Sequence, residues 1–171
     1  MRVEFVYPFV DAASRVLEAE VSAKIVRGQL SICSSDLTSL PLTVLIAVAG
    51  EVQGIVLYSM SEETAVALAS TMLGQPFASL DDLALSGIGE LGNVITGTAA
   101  TALAEAGLIS TISPPTVISG QGIKISTLEI RRLVVPLRTQ YGTIEVQVGL
   151  RENLGTDPRS RGSILHTTAH A

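Results

Sequence analysis

The sequence predicts an α+β domain of layered architecture, in which a mostly antiparallel sheet packs against long helices. Segments with apolar residues at helical spacing alternate with groups of strand-like segments. These strands follow one another across short turns, as antiparallel hairpins do. Apolar residues occupy 47% of the 171 positions, which is enough for one core, and aromatic residues only 4%. The core should therefore consist mainly of Val, Ile, Leu and Ala.

The first part of the chain begins with a helix and continues with strands. Residues Tyr7 to Glu20 carry apolar side chains at helical spacing, and Pro8 suits the first turn of a helix. Strand character follows over Val21 to Cys33. Two further strands, Leu42 to Val48 and Val52 to Ser59, are predicted to form a hairpin across a short turn.

Two helices are predicted in the middle of the chain. One covers Ser61 to Leu73, with its first residue as N-cap and Gly74 at its end. The other covers Ser79 to about Ala106. Its first residue is the predicted N-cap, and Asp82 follows three positions later, much as in a capping box.

The last part of the chain is predicted to be extended. Leu108 to Ser119 contains a Pro-Pro pair, which excludes a helix interior. Ser126 to Arg138 alternates in part between apolar and polar residues, as does Thr143 to Leu150, and the two should form a second hairpin. The composition then changes, so we expect one domain over residues 1–152 and a flexible polar tail over 153–171.

Charge and the rare residue types exclude several functions. With 11 basic residues and a net charge of −5, the chain lacks the clustered positive charge that nucleic-acid binding needs. One cysteine, Cys33, excludes an intrachain disulfide, and both histidines, His166 and His170, lie in the predicted tail. A catalytic triad or a histidine metal site in the body would therefore lack its imidazole. Because no signal peptide or membrane-length apolar run is present, we expect a cytoplasmic protein that binds no membrane.

The third predicted helix has two distinct faces. The face expected to pack on the sheet carries Leu80, Ala84, Ile88, Leu91, Ile95, Thr98 and Ala102. The opposite face carries Ser86, Glu90, Asn93, Gly97 and Ala100, and Gly87, Gly89 and Gly92 lie in or near it. Each glycine costs about 1 kcal/mol relative to alanine inside a helix, and close approach of another backbone is the usual reason for one. This face could accept another protein, but its spacing also fits an ordinary solvated helix whose glycines let helices pack together.

Ser86, Glu90 and Asn93, followed by Pro115 about twenty residues later, resemble the signature of the CheC/CheX/FliY family of chemotaxis phosphatases. The surrounding segments that share the resemblance are 8–17, 90–103 and 112–117, within a match over roughly 5–152. CheC-type members carry two such motifs on two related helices. The opening helix here contains no asparagine, so the pattern resembles that of the CheX type.

The resemblance implies a protein phosphatase that hydrolyses the phospho-aspartate of a CheY-like receiver domain. Asn93 would position the attacking water, and Glu90 would pair with the receiver's active-site lysine. The residues that would bind or support the partner are Ser86, Gly89, Gly97 and Pro115. The chain would need no cofactor or metal of its own, because the receiver brings a divalent metal, expected to be Mg²⁺. CheX-type proteins are dimers, so we expect a homodimer; the alternative is a non-catalytic dimeric adaptor that binds a receiver or a flagellar-switch component.

Overall fold

The computed structural model of the chain describes residues 3–33, 36–38, 40–126 and 130–153. Its helices are α1 (Tyr7–Val21), α2 (Glu62–Leu73) and α3 (Asp82–Glu105), and a short 3-10 turn over Val3–Phe5 precedes α1. Its strands are β1 (Val26–Arg27), β2 (Ser31–Cys33), β3 (Asp36–Thr38), β4 (Leu42–Gly50), β5 (Val52–Met60), β6 (Ser110–Ile112), β7 (Thr116–Ser119), β8 (Lys124–Ser126), β9 (Arg132–Thr139) and β10 (Gly142–Glu152).

The main sheet is antiparallel at every pairing within the described ranges. Its strand order is β1-β9-β10-β5-β4-β6, with β2 continuing the β1 edge along β9 and β7 continuing the β6 edge along β4. Strands β3 and β8 form a separate two-stranded ribbon. The two predicted hairpins, β4–β5 and β9–β10, occupy the centre of the sheet, and the predicted α+β class is confirmed.

All three helices cover one face of this sheet. The register places Val44, Tyr58 and Val146 side by side on the three central strands, and all three side chains are buried on the helical side. Helices α1 and α3 lie together and run antiparallel, because the start of α1 and the end of α3 line one groove. The other end of α1 meets the first half of α3, where Leu17 and Ile88 pack against a common gap. Helix α2 packs on α3 near its beginning.

The caps of α2 agree with the sequence prediction, whereas the start of α3 does not. The Ser61 hydroxyl accepts the backbone N–H of Thr64 at 3.2 Å, and Gly74 ends α2 with φ +64°. At α3 the N-cap is Asp81, whose carboxylate accepts the N–H of Ala84 at 2.9 Å. Ser79 lies outside the helix. A charged N-cap oxygen satisfies the first free N–H groups and also suits the positive end of the helix dipole, so the helix begins at this aspartate.

The buried face of α3 is rotated from the predicted one. Thr98 and Ala102 are exposed, whereas Ala99 and Leu103 are buried, so the expectation for this end of the helix is wrong. The buried face is centred near Gly92 rather than on the larger apolar residues. Because Gly92 has no side chain, this side of the helix can lie closer to the sheet than a side with larger residues could.

Asn153, the first residue after the predicted domain boundary, is among the described residues and is hydrogen-bonded to the β4–β5 turn. Asn153 donates its backbone N–H to the carbonyl of Glu51 at 2.8 Å and its side-chain amide to the carbonyl of Gly50 at 3.0 Å. This residue therefore closes the β4–β5 turn, although the sequence assigned it to the tail. The rest of the predicted tail, 154–171, lies outside the described residues, as do both histidines.

Candidate functional site

The predicted functional face of α3 is formed by four residues that follow one another at helical spacing. Ser86 and Glu90 are exposed, and Asn93 and Gly97 are half-buried. The structure brings the two predicted catalytic side chains together, because Asn93 Nδ2 donates to Glu90 Oε2 at 3.4 Å. This distance is at the long end for an N–H···O hydrogen bond, so the two side chains are held together weakly and can separate at little cost.

The two helices α2 and α3 carry acidic residues and no basic ones. Neither α2 nor α3 contains a lysine or an arginine. The acidic residues of the two helices are Glu62, Glu63, Asp82, Glu90 and Glu105. Hydrogen bonds from its own backbone and from Ser61 lower the pKa of Glu63, so that this carboxyl is charged at neutral pH. A face of one sign attracts a partner of the opposite sign and repels one of the same sign.

Apolar side chains flank Glu90 and Asn93 on α3. Leu83 is 53% exposed and lies two turns before Glu90, and Val94 is 40% exposed and lies one turn after it. From the end of α2, the side chain of Leu73 covers Gly87, where an added Cβ would lie 3.2 Å from Leu73 Cδ1. Exposed aliphatic groups beside polar side chains are a common arrangement at protein interfaces.

The glycines of α3 serve contacts inside the chain. A Cβ on Gly92 would lie 2.8 Å from Val44 Cγ1, and one on Gly89 would lie 3.1 Å from Val117 Cγ2. Both positions are buried against the sheet. The expectation that these two glycines lie on the surface that accepts a partner is therefore wrong. They instead let α3 approach the strands of its own sheet closely. Gly97 differs, because it stays half-exposed on the functional face and only Ile112 lies near it.

Pro115 lies beside the functional turn of α3. Its Cγ atom is 3.8 Å from the position of a Cβ on Gly89, the residue that precedes Glu90. The loop that carries this proline is fixed to β4 by Ser113, whose backbone N–H donates to the Ala47 carbonyl at 2.9 Å. The Ser113 hydroxyl also accepts the N–H of Ala47 at 3.0 Å. Pro115 is thus placed to support the helix at the functional turn.

One buried contact at the site was missed by sequence reasoning. The hydroxyl of Tyr58, from β5, lies 2.8 Å from Thr96 Oγ1, and Thr96 Oγ1 donates to the carbonyl of Gly92 at 2.8 Å. Burial raises the pKa of the Tyr58 phenol well above its ordinary value, so the hydroxyl keeps its proton. The sequence does show one tyrosine within an apolar strand. Because a buried phenol needs a hydrogen-bond partner, this residue could have indicated such a contact.

Two further structural observations concern the described residues as a whole. Among the described residues, no three His, Cys, Asp or Glu side chains come together as they would to hold a metal ion. The same residues contain no helix that is both long and apolar enough to cross a membrane.

Comparison with known proteins gives consistent matches. The family model for the chemotaxis phosphatase CheX matches residues 42–138. The chain is 42% identical over 90 residues to the CheY-P phosphatase CheX of Thermotoga maritima, a match that covers 52% of this chain and 58% of that protein. The chain therefore spans little more than half of this curated relative's length.

Solved structures resemble the chain over most of its length. A CheC-like superfamily protein from Shewanella superposes with a TM-score of 0.81 at 25% identity, covering 88% of this chain and 99% of that one. The complex of CheX with CheY, BeF3 and Mg²⁺ from Borrelia burgdorferi gives a TM-score of 0.76 at 31% identity, covering 88% of this chain and 100% of that one. The layered arrangement of sheet and helices is shared with both.

Proposed function

The chain belongs to the family of the chemotaxis phosphatase CheX, and on this basis we propose that it hydrolyses the phospho-aspartate of a CheY-like receiver domain. The observation that carries the proposal is the pairing of Glu90 with Asn93 at 3.4 Å on a helix face without positive charge. The Borrelia relative, a CheX in complex with CheY and Mg²⁺, supports a receiver as the partner.

The reaction requires little acid–base chemistry from the enzyme. The water oxygen bonds to phosphorus while the P–O bond to the aspartate breaks, and the electron pair stays on the aspartate carboxylate. A carboxylate is a good leaving group, so no general acid is needed. Catalysis of phosphoryl transfer depends mainly on positioning and electrostatic stabilisation. The products are the free receiver aspartate and inorganic phosphate, to which the protons of the water pass directly or through solvent.

Asn93 is the residue we assign to the water. A carboxamide carries both donor and acceptor groups, so its oxygen can accept a hydrogen from the water and point the water oxygen at phosphorus. A glutamine performs the comparable task in Ras-type GTPases. Asn93 is half-buried, which limits the directions its side chain can take.

Glu90 is the residue we assign to the receiver's lysine. Its carboxylate is exposed one turn before Asn93 and can form a charge-assisted hydrogen bond with an incoming ammonium group. Such a bond is stronger than the 3.4 Å bond from Asn93 Nδ2. Docking would therefore turn Glu90 toward the lysine and release the amide of Asn93 for the water. The divalent metal, which we expect to be Mg²⁺, and the lysine both belong to the receiver.

The remaining predicted residues form the surroundings of this pair. Ser86 and Gly97 extend the functional face by one turn on each side, and we assign them to contact with the receiver. Pro115 faces Gly89, since a Cβ added to this glycine would lie 3.8 Å from Pro115 Cγ, and we assign both residues to support of the helix. The exposed Leu83 and Val94 give the receiver apolar contacts beside Glu90 and Asn93.

We also propose that the protein is a cytoplasmic homodimer. The edge formed by β1 and β2 has no neighbouring strand on its outer side among the described residues. It exposes Val26 and Ile32, at 62% and 66%, and Leu30 lies between them. An unpaired edge with exposed apolar residues invites pairing with another strand, and a second copy of the chain satisfies it.

The experiment that tests the phosphatase is the decay of a phosphorylated CheY-like receiver from the same genome, followed with and without the protein. Acceleration by the wild type and its loss in Asn93→Ala are expected. Binding to the receiver without any acceleration would instead favour a non-catalytic adaptor for a receiver or a flagellar-switch component.

A further inference from the structure

Two buried hydrogen bonds connect the centre of the sheet to the backbone at Asn93. The first joins the Tyr58 hydroxyl to Thr96 Oγ1, and the second joins Thr96 Oγ1 to the carbonyl of Gly92, both at 2.8 Å. Tyr58 is 2% exposed and Thr96 is fully buried. The Gly92 carbonyl belongs to the peptide group whose nitrogen is that of Asn93. The two bonds therefore end on the peptide that carries the proposed catalytic residue.

The direction of each bond follows from the number of hydrogens. A carbonyl oxygen can only accept, so the single hydroxyl hydrogen of Thr96 is given to Gly92. Thr96 Oγ1 must then accept from Tyr58, whose phenol is the donor. Burial raises the pKa of this phenol, so the donor stays protonated over the working range of pH. The link is thus present whenever the protein is folded.

Contacts and hydrogen bonds hold Gly92 from two directions. Val44 of β4 prevents the helix from moving closer to the sheet, because the space between Gly92 and Val44 is too small even for a Cβ atom. The Tyr58–Thr96 bond prevents the helix from moving away from β5. Both restraints act on the backbone directly before Asn93, the residue whose side chain is proposed to hold the water.

We propose that Tyr58 and Thr96 are positioning residues, which fix the Gly92–Asn93 peptide and so aim the Asn93 carboxamide at the attacking water. This inference rests on the proposed phosphatase function. A water in line with a P–O bond is sensitive to small displacements, since a shift of about 1 Å in a catalytic group can cost about a hundredfold in rate. Both residues act through Asn93, and neither touches the receiver in this assignment.

The chain offers matched controls for both bonds. Thr98 makes the same bond to the carbonyl four residues earlier on the same helix, at 2.8 Å, but it is exposed and has no link to the sheet. Thr43 and Ser59 form another buried hydroxyl pair between β4 and β5, at 2.9 Å. They alternate with the residues that face the helices, so this second pair lies on the opposite side of the sheet.

The experiment compares kcat and KM for receiver dephosphorylation, together with the thermal unfolding midpoint. Thr96→Val removes both bonds and Tyr58→Phe removes the first, while Thr96→Ser keeps the hydroxyl. We expect kcat to fall about tenfold or more in Thr96→Val and several-fold in Tyr58→Phe, with KM within about twofold. Thr96→Ser should recover most of kcat. Thr98→Val and Thr43→Val should leave kcat unchanged, even where Thr43→Val lowers the unfolding midpoint.

Several outcomes would overturn the inference. It fails if Thr96→Val matches Thr98→Val in kcat, or if Thr43→Val reduces kcat as much as Thr96→Val does at an equal loss of stability. Should Thr96→Val not fold, Tyr58→Phe decides by the same comparison. Wild type and Asn93→Ala are measured in parallel. No acceleration by the wild type rejects the phosphatase assignment itself, and an unchanged rate in Asn93→Ala rejects the role of Asn93 and with it the positioning role. Loss of the rate in Asn93→Ala, together with a normal rate in Thr96→Val and Tyr58→Phe, rejects only the positioning role.

Discussion

Gly92 of α3 faces Val44 of β4 so closely that a Cβ on the glycine would lie 2.8 Å from the valine Cγ1 atom. The contact sets the distance between the functional helix and the sheet. It also explains why α3 tolerates a residue that costs about 1 kcal/mol in a helix interior.

The first prediction concerns this glycine. Gly92→Ala should lower the free energy of unfolding by about 1–3 kcal/mol, because overpacking outweighs the gain in helix propensity. Urea unfolding measures the change. The control is Gly97→Ala on the same helix, where an added Cβ would meet only Ile112 Cδ1 at 3.9 Å. Gly97→Ala should be neutral or stabilising by up to about 1 kcal/mol, and equal stabilities of the two variants would contradict the packing argument.

The second prediction concerns the water. Asn93→Ala should reduce the acceleration of receiver dephosphorylation on the order of a hundredfold, because the water loses its orienting group. Affinity for the unphosphorylated receiver should change little. Thr98→Ala, at an exposed position of the same helix outside the functional face, is the control and should keep most of kcat. A variant lacking Asn93 that still works at the wild-type rate would remove the residue from the mechanism.

The third prediction concerns Glu90. Glu90→Gln should raise KM roughly tenfold, about 1.4 kcal/mol, because the pair with the receiver lysine loses its charge. Steady-state kinetics at several salt concentrations measure this effect. The wild-type KM should rise with salt, and that of Glu90→Gln should rise less. Glu105→Gln makes the same charge change about 22 Å further along the same helix and should leave KM near the wild-type value.

The fourth prediction concerns the start of α3. Asp81→Ala should cost about 1 kcal/mol by removing the bond to the Ala84 N–H, and it should lower the unfolding midpoint by about 2–4 °C. Asp81→Asn should keep most of this stability, because asparagine also caps well. Ser79→Ala is the control, since Ser79 lies outside the helix. A larger loss of stability from Ser79→Ala than from Asp81→Ala would show that Ser79, the residue predicted from the sequence, is the N-cap.

The fifth prediction concerns the dimer. Light scattering should give about twice the chain mass of 17.8 kDa for the wild type and the single-chain mass for Ile32→Lys. A lysine at this position places a charge on the exposed β1–β2 edge. Ile109→Lys is the control, because Ile109 is equally exposed, at 67%, beside the opposite edge of the sheet. A wild-type protein that is monomeric at all concentrations would reject the homodimer.

The sequence was sufficient for features that depend on neighbours along the chain. The hairpins β4–β5 and β9–β10 follow from alternation across a short turn, and the Ser61 cap follows from a local hydrogen bond. The closeness of Glu90 and Asn93 follows from their spacing on a helix. Each of these features involves residues a few positions apart, or strands joined by one turn, so the pattern alone specifies it.

Features that depend on distant contacts could not be predicted in the same way. The rotation of α3 about its axis is set by Val44, which lies 48 positions before Gly92 in the chain. The bond between Tyr58 and Thr96 joins residues 38 positions apart, and the anchoring of Asn153 to the β4–β5 turn spans about a hundred. In each case the sequence shows that a residue needs a partner, but it does not show which distant residue the fold places beside it.

The absence of positive charge on α2 and α3 also determines which reagents can act on this part of the protein. No lysine or arginine occurs between Arg27 and Lys124, so a tryptic digest leaves the whole span, including both helices, as one peptide. The functional face offers the carboxylate of Glu90 and no amine. A zero-length carbodiimide reagent would therefore cross-link this face to a partner in one way only. The carboxylate would come from α3 and the amine from the bound protein.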